Sequence, residues 1–263
     1  MKKVFRDKQN ADYWEDRWQK SGVDENGFTN KNIYPIKYAE MATKDAQSIL
    51  EAGCGAGRVY FHYKNEGKNI KGIEYSKTAV DNIVNKDPDA EVIQGSITDL
   101  PYPDGSFDTV LSFGLYHNIE DEEQLQKAFD ETYRVLMTGG RLVASVRFDS
   151  FENNLIESIM QKRASGKAFD KFHRWHLSLD DMKKLLGENM EIEEVFYARN
   201  VSFLFKFDIF RSKALKTKNF SESKARSGGF ELNFMGKTVD AFLHKCFPTL
   251  FSNLLVLIAK KTG

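Results

Sequence analysis

Short apolar runs alternate with amphipathic stretches between residues 47 and 147, and the runs end in polar or glycine-rich turns. Gln47-Ser48-Ile49-Leu50 reads as the end of a buried strand, and Arg58-Val59-Tyr60-Phe61 as the first turns of a helix. Ile70-Lys71-Gly72-Ile73-Glu74 is a second strand ending in an acid, and Glu91-Val92-Ile93-Gln94 a third. After the turn at Asp104-Gly105-Ser106, the run to Ser112 reads as a fourth strand. Tyr133 to Leu142 reads as a helix end, a glycine turn at Gly139-Gly140 and a fifth strand. Strands separated by helical stretches are the pattern of a parallel sheet with helices on its faces.

Outside this stretch the pattern changes. Residues 1–46 read as helical, with Trp14, Trp18, Tyr34, Tyr38 and Met41 as apolar points and a break at Asn26-Gly27. Residues 150–207 read as one or two helices followed by a strand region. There Val201, Phe203, Phe205 and Phe207 recur with a period of two. Ser178 ahead of Leu179–Leu186, with Asp181 three places on, predicts a capped helix start. Residues 208–250 form an insertion, and 253–261 a final buried strand.

The chemistry starts at Glu51-Ala52-Gly53-Cys54-Gly55-Ala56-Gly57, between the first strand and its helix. Glycines there permit positive φ and close backbone approach to a ligand, and the helix start beyond offers unpaired N–H groups. A dinucleotide turn wants G-x-G-x-x-G, but the third glycine falls one place early and Arg58 stands at the expected position. The spacing acid-x-G-x-G-x-G resembles motif I of the class I S-adenosylmethionine-dependent methyltransferases. With Glu74, 21 residues past Gly53, and the strands that follow, residues 45–147 resemble the ubiquinone and menaquinone methyltransferase subgroup.

That resemblance implies a doubly wound, seven-stranded, mostly parallel Rossmann-like sheet. It implies a helical cover over residues 1–46 and a methyltransferase domain over 47–263, with a late insertion at about 208–250. The last strand would enter antiparallel beside the fifth and sixth. S-adenosyl-L-methionine would be the cofactor, held by Glu51, Gly53, Cys54, Gly55 and Gly57, by Glu74 on the ribose, and by Tyr75, Ser96, Ile97, Asp99 and Phe113. Ser96 stands where the subgroup has an adenine-contacting Asp, so Ser96 or Asp99 takes that role; Thr138 replaces a proline. His117 and Tyr116, after the fourth strand, are the candidate catalytic residues, with His117 as a base or as a pocket hydrogen-bonder. Trp14, Tyr34, Phe172 and Trp175 would wall an acceptor pocket, with His173 or Arg174 at its rim. Asp240–Pro248 resembles a helix that precedes the last strand in methyltransferases of saccharide and lipid pathways.

Composition narrows this picture. The 263 residues carry 38 basic and 38 acidic side chains, so no global field points to nucleic acid. The Asn/Asp-Pro-Pro-aromatic tetrapeptide of amino-group methylation on nucleic acids is absent. Two cysteines, Cys54 and Cys246, fit a reducing compartment, and no signal peptide opens the chain, so the cytoplasm is expected. Cys54 fills space in the turn. His173 and His176 have no third ligand in reach of sequence, so no metal is expected. The basic stretch from Phe210 to Arg226 reads as a solvated loop or as a contact to membrane or to a phosphorylated acceptor.

The expected activity is methyl transfer to oxygen or nitrogen of a small organic, lipid-linked or saccharide-linked acceptor. Three alternatives stand beside it. Tyr13–Trp18 is similar to the opening of thiol methyltransferases of the thiopurine type. A nicotinamide oxidoreductase and a catalytically silent cofactor-binding module are the others.

Overall fold

In the computed structural model, residues 1–7, 10–21, 33–164, 169–199, 201–213 and 231–263 are described. The core is a seven-stranded sheet built from β2 (Ile49–Ala52), β3 (Ile70–Glu74), β4 (Val92–Gln94), β5 (Phe107–Phe113), β6 (Leu136–Arg147), β8 (Met190–Ala198) and β9 (Leu254–Lys261). Its order is β4-β3-β2-β5-β6-β9-β8. The pairs among β4, β3, β2, β5 and β6 are parallel; β9 runs antiparallel between β6 and β8. The chain order reverses at β2, where one crossover leads to β3 and a later one to β5. Open α/β sheets bind ligands outside the strand carboxyl ends at such a point.

Period-two alternation splits the apolar residues between two faces. Leu142 and Ala144 of β6 and Leu255, Leu257 and Ala259 of β9 join one cluster. It includes Leu125 and Phe129 of α5 (Glu122–Val135) and Met182 and Leu185 of α7 (Leu179–Leu186). Val143, Val256 and Ile258 join the other. There they meet Ile36 and Ala39 of α2 (Tyr34–Thr43) and Tyr60 and Tyr63 of α3 (Arg58–Asn65). Helices on both faces explain why 254–259 is continuously apolar. The α7 start carries the full capping box, with Ser178 and Asp181 exchanging hydrogen bonds.

The structure departs from the sequence reading in four places. Residues 1–46 are not wholly helical: besides α1 (Asn10–Ser21) and α2 they contain β1 (Lys2–Arg6). β1 pairs antiparallel with β7 (Lys171–His176), a strand the sequence did not announce, to form a separate two-stranded sheet. Gly139-Gly140 is a bulge inside β6 and does not precede it. Phe107 faces Leu136 and Thr109 faces Arg141, so β6 carries extra residues there; Gly139 takes φ 81°. The alternation at 201–207 forms no strand, because β8 already holds the sheet edge. Ser202 caps a 3-10 turn at Phe203–Lys206 instead, burying Leu204 and Phe205 against Leu232. Of the insertion, α8 (Phe234–Cys246) is described; the basic residues from position 214 to 226 lie outside the described residues.

Candidate active site

The glycine turn joins β2 to α3 with all three glycines in the left-handed region: Gly53 at φ 73°, Gly55 at 53° and Gly57 at 74°. A non-glycine residue is strained there. Glu74, at the carboxyl end of β3, braces the turn. Its Oε2 accepts from the Gly55 amide at 2.9 Å and its Oε1 from the Ser76 amide at 3.0 Å. Each oxygen retains a further lone-pair direction. Glu51 ends up 4% exposed, with Oε2 lacking any protein partner. Burial pushes its pKa up to about 8; the Tyr60 amide and Arg58 pull the other way, and Glu74 adds to the rise.

The other expected cofactor residues divide. Cys54 is buried and its thiol is pushed up by burial, which suits packing rather than nucleophilic attack. Ser96 is turned into its own loop: its hydroxyl bonds Thr98 Oγ1 at 2.8 Å and accepts from the Thr98 amide. Ile97 is buried, Asp99 is exposed, and Tyr75 is 73% exposed just beyond Glu74. Phe113 lies edge-on to Tyr34, whose hydroxyl is 3.4 Å from Ser145 Oγ at the end of β6.

Helix α1 lies across this region. Glu15 accepts from Ser76 Oγ at 2.7 Å and from Thr78 Oγ1, at the start of α4 (Lys77–Lys86). Trp18 packs on the turn so closely that a Cβ placed on Gly55 would sit 2.9 Å from its ring. Trp14 stacks on Trp18 at 5.7 Å; Tyr13 lies edge-on to Trp14 at 5.3 Å and to His173 of β7 at 5.9 Å. One helix thus links the glycine turn to β7.

Beyond the end of β5, Tyr116 and His117 sit in a 3-10 turn. Tyr116 is fully buried, stacks on Phe129 at 4.1 Å and shares a 2.8 Å hydrogen bond with Thr132. Burial raises its pKa further, so the expectation of a catalytic Tyr116 gives way to a core residue. His117 Nδ1 accepts from the Arg147 amide at 3.3 Å. A neutral imidazole whose Nδ1 accepts carries its proton on Nε2, so His117 offers a donor there, not a base. Burial, then Arg147 and Arg174, hold its pKa well below the ordinary value, so the ring is neutral at pH 7.

β7 is fixed to the end of β6 by the Leu177 amide on the Arg147 carbonyl at 2.8 Å. Against β1, Val4 faces Arg174 but Phe5 faces Phe172, so His173 is the extra residue of a bulge. The bulge puts Phe172 and Trp175 on one face, where both are buried 5.9 Å apart beneath Lys3, and Trp175 Nε1 donates to the Ile119 carbonyl. Arg174 and His176 share the other face with Arg6, which pairs with Glu157 of α6 (Phe151–Arg163). The structure therefore brings Trp14, His173 and Arg174 together through Tyr13. It sets Phe172 and Trp175 into the core and keeps Tyr34 with Phe113 and Ser145. Sequence reasoning missed Arg147, Arg6 and Glu15, and did not use Trp18 as a site residue. Arg147 had one readable signal, its place at the end of a strand of the parallel set.

Residues 50–144 match the family model described as a methyltransferase domain. The fold and the glycine turn are those shared by class I S-adenosylmethionine-dependent methyltransferases, and S-adenosyl-L-methionine is the cofactor these similarities indicate. Over 154 residues the chain is 27% identical to a probable S-adenosylmethionine-dependent methyltransferase of Mycobacterium tuberculosis, covering 58% of this chain and 52% of that protein. Over 104 residues it is 34% identical to a demethylmenaquinone methyltransferase of Paenarthrobacter aurescens, covering 39% of this chain and 40% of that protein. The chain thus spans about half the length, or less, of these curated relatives. A SAM-dependent methyltransferase structure from Archaeoglobus fulgidus superposes with a TM-score of 0.57 at 16% identity, covering 95% of this chain and 99% of that one, which shows the shared fold. The nicotinamide alternative is thereby set aside.

The residues present fit the cofactor. Glu51 presents a buried carboxylate oxygen without a partner, matched to the cofactor's ammonium group, and Glu74 stands at the strand tip suited to ribose hydroxyls.

Proposed function

We propose that this protein methylates an oxygen or nitrogen of a small organic acceptor seated at the carboxyl ends of β5 and β6. The observation that carries the reading is adjacency. The Leu115 side chain, between Phe113 and His117, would lie 3.1 Å from a Cβ on Gly53, so the glycine turn and the His117 turn lie against one another. The bound cofactor supplies an activated methyl group, and the protein's main task is to position the acceptor for in-line attack. Glu51 and Glu74 hold opposite ends of the cofactor. α1 lays Trp18 and Trp14 over the turn and limits water in the crevice. His117 orients the acceptor through Nε2–H.

In this reading residues 1–46 are the cover and 47–263 the catalytic unit. The relative that acts on demethylmenaquinone keeps lipid-linked acceptors within the class tested. Two free cysteines support a reducing compartment, the cytoplasm, and no helix among the described residues is long and apolar enough to cross a membrane.

Calorimetry tests the cofactor half. S-adenosylmethionine or its demethylated product should bind with micromolar affinity, about −8 kcal/mol. Transfer of a radiolabelled methyl group to a panel of phenols, amines, quinols and thiols tests the acceptor half. Labelling of thiols alone would replace this reading with the thiol-methyltransferase one.

A further inference from the structure

The side chains gathered at the ends of β6 and β7 are strongly cationic. Arg147, Arg174 and Arg6 converge there with His117, His173 and His176. Glu157 is the carboxylate whose field reaches Arg174, and Tyr13 the phenol; Arg6 already pairs with Glu157. Lys2 adds positive charge on the His176 side. Arg174 thus stands among like charges, with Glu157 as a counter-charge, in a place where burial weakens solvation.

Three buried polar atoms of this cluster form no hydrogen bond: Glu157 Oε2, which is ion-paired with Arg6, and two nitrogens. The Nε of Arg174 is one, although the same guanidinium donates through Nη2 to His173 Nε2 at 2.7 Å. Nδ1 of His176 is the other, on a side chain only 1% exposed. Guanidinium is donor-only, so the free Nε–H requires an acceptor, and a fork of parallel N–H groups matches an oxyanion. The charge crowding has a measurable sign: burial and then Arg147 bring Arg174 down to about 9, and burial and then Arg174 bring both His173 and His176 down to about 3. An anion at this point would offset the repulsion among these cations, though not the burial.

We propose that the acceptor carries an oxyanion, a carboxylate or phosphate ester, and that this group seats on Arg174 beside Arg147. This rests on the methyltransferase reading and deepens it. The anion serves as a handle. The Arg147 main-chain amide bonds His117 Nδ1 at 3.3 Å, so a molecule held on Arg174 beside Arg147 has His117 within the same neighbourhood. The bulge at His173 is the device that makes the site, because it turns Arg174 and His176 to the face shared with Arg6 while Phe172 and Trp175 stay in the core.

The test uses the full chain saturated with S-adenosylhomocysteine, titrated by calorimetry with benzoate, phenyl phosphate and the neutral analogue benzamide. At least one anion should bind tenfold or more tightly than benzamide, a difference of about 1.4 kcal/mol. Preference between benzoate and phenyl phosphate assigns the handle as carboxylate or phosphate. Arg174→Gln should remove the anion preference while S-adenosylhomocysteine binds as before, and Lys183→Gln, on an exposed position of α7, should leave both unchanged. Equal binding of benzamide and the anions in the wild-type protein, which needs no variant to fold, overturns the proposal. So does an anion preference that survives in Arg174→Gln. Failure of the cofactor analogue to bind would instead overturn the methyltransferase reading, since that titration is recorded separately.

Discussion

Glu51 shows how one side chain couples the turn to its ligand. In the cofactor-free protein its pKa is about 8, so at pH 7 the carboxyl is mainly protonated. The ionised form is the one that pairs with an ammonium group, so cofactor affinity should rise with pH up to about 8 and level off above it. Calorimetry in buffers of different ionisation enthalpy should show proton release at pH 7, absent in Glu51→Gln. The effect on stability has the opposite direction. A carboxyl whose folded pKa lies above its unfolded value favours the folded state at low pH and loses that advantage as pH rises through 4.5 to 8. The pocket histidines act the other way. His173 and His176 hold pKa values of about 3 when folded, against 6.5 unfolded. Their contribution is present above 6.5 and is lost as pH falls toward 3, and their imidazole NMR signals should stay flat between pH 5 and 8. Gly55→Val should abolish cofactor binding in calorimetry while far-UV circular dichroism stays native. The new side chain meets both a φ of 53° and the Trp18 ring 2.9 Å from its Cβ. The glycine turn, and the places of Glu51 and Glu74 beside it, were legible because they follow from local spacing within a few residues. Tyr116 was misread because its neighbours Phe129 and Thr132 come from another element.

Elements were legible where local signals agree. Ser178 and Asp181 spell a capping box in sequence and form one in the structure, and Ser178→Ala should lower stability by about 1 kcal/mol in urea unfolding. The parallel strands were readable from apolar runs ending in turns. β7 was not, because Lys171-Phe172-His173-Arg174-Trp175-His176 lacks alternation: a bulge interrupts the period, and the partner strand lies some 170 residues earlier. The false strand at 201–207 shows the converse. Alternation alone marks a surface that can be half-buried, and the 3-10 turn buries Leu204 and Phe205 without any ladder.

At the scale of the whole molecule, one ion cluster ties the later half of the chain to the sheet. Arg199, after β8, donates to Glu152 of α6 at 2.8 Å and to Asp240 of α8, and Glu152 also accepts from the Phe203 amide at 2.9 Å. Glu152 is fully buried and Arg199 nearly so. Arg199→Met should cost about 3–5 kcal/mol of global stability in denaturant unfolding, since it strands a buried carboxylate. Nothing in the spacing of residues 152, 199 and 240 foretells this meeting. The sequence by itself determined the strand-turn-helix unit, the acids beside the glycine turn and the parallel core, because these depend on neighbours within a few residues and on period-two burial. The tertiary structure alone decided the rest. It set α1 across the glycine turn, paired the first strand with the seventh, and turned Arg174 and His176 toward Arg6 and Arg147 while drawing Phe172 and Trp175 inward. Those outcomes depend on which distant segments share a boundary, and on a one-residue bulge that reassigns every side chain beyond it. Both are properties of packing between elements, which local sequence does not encode.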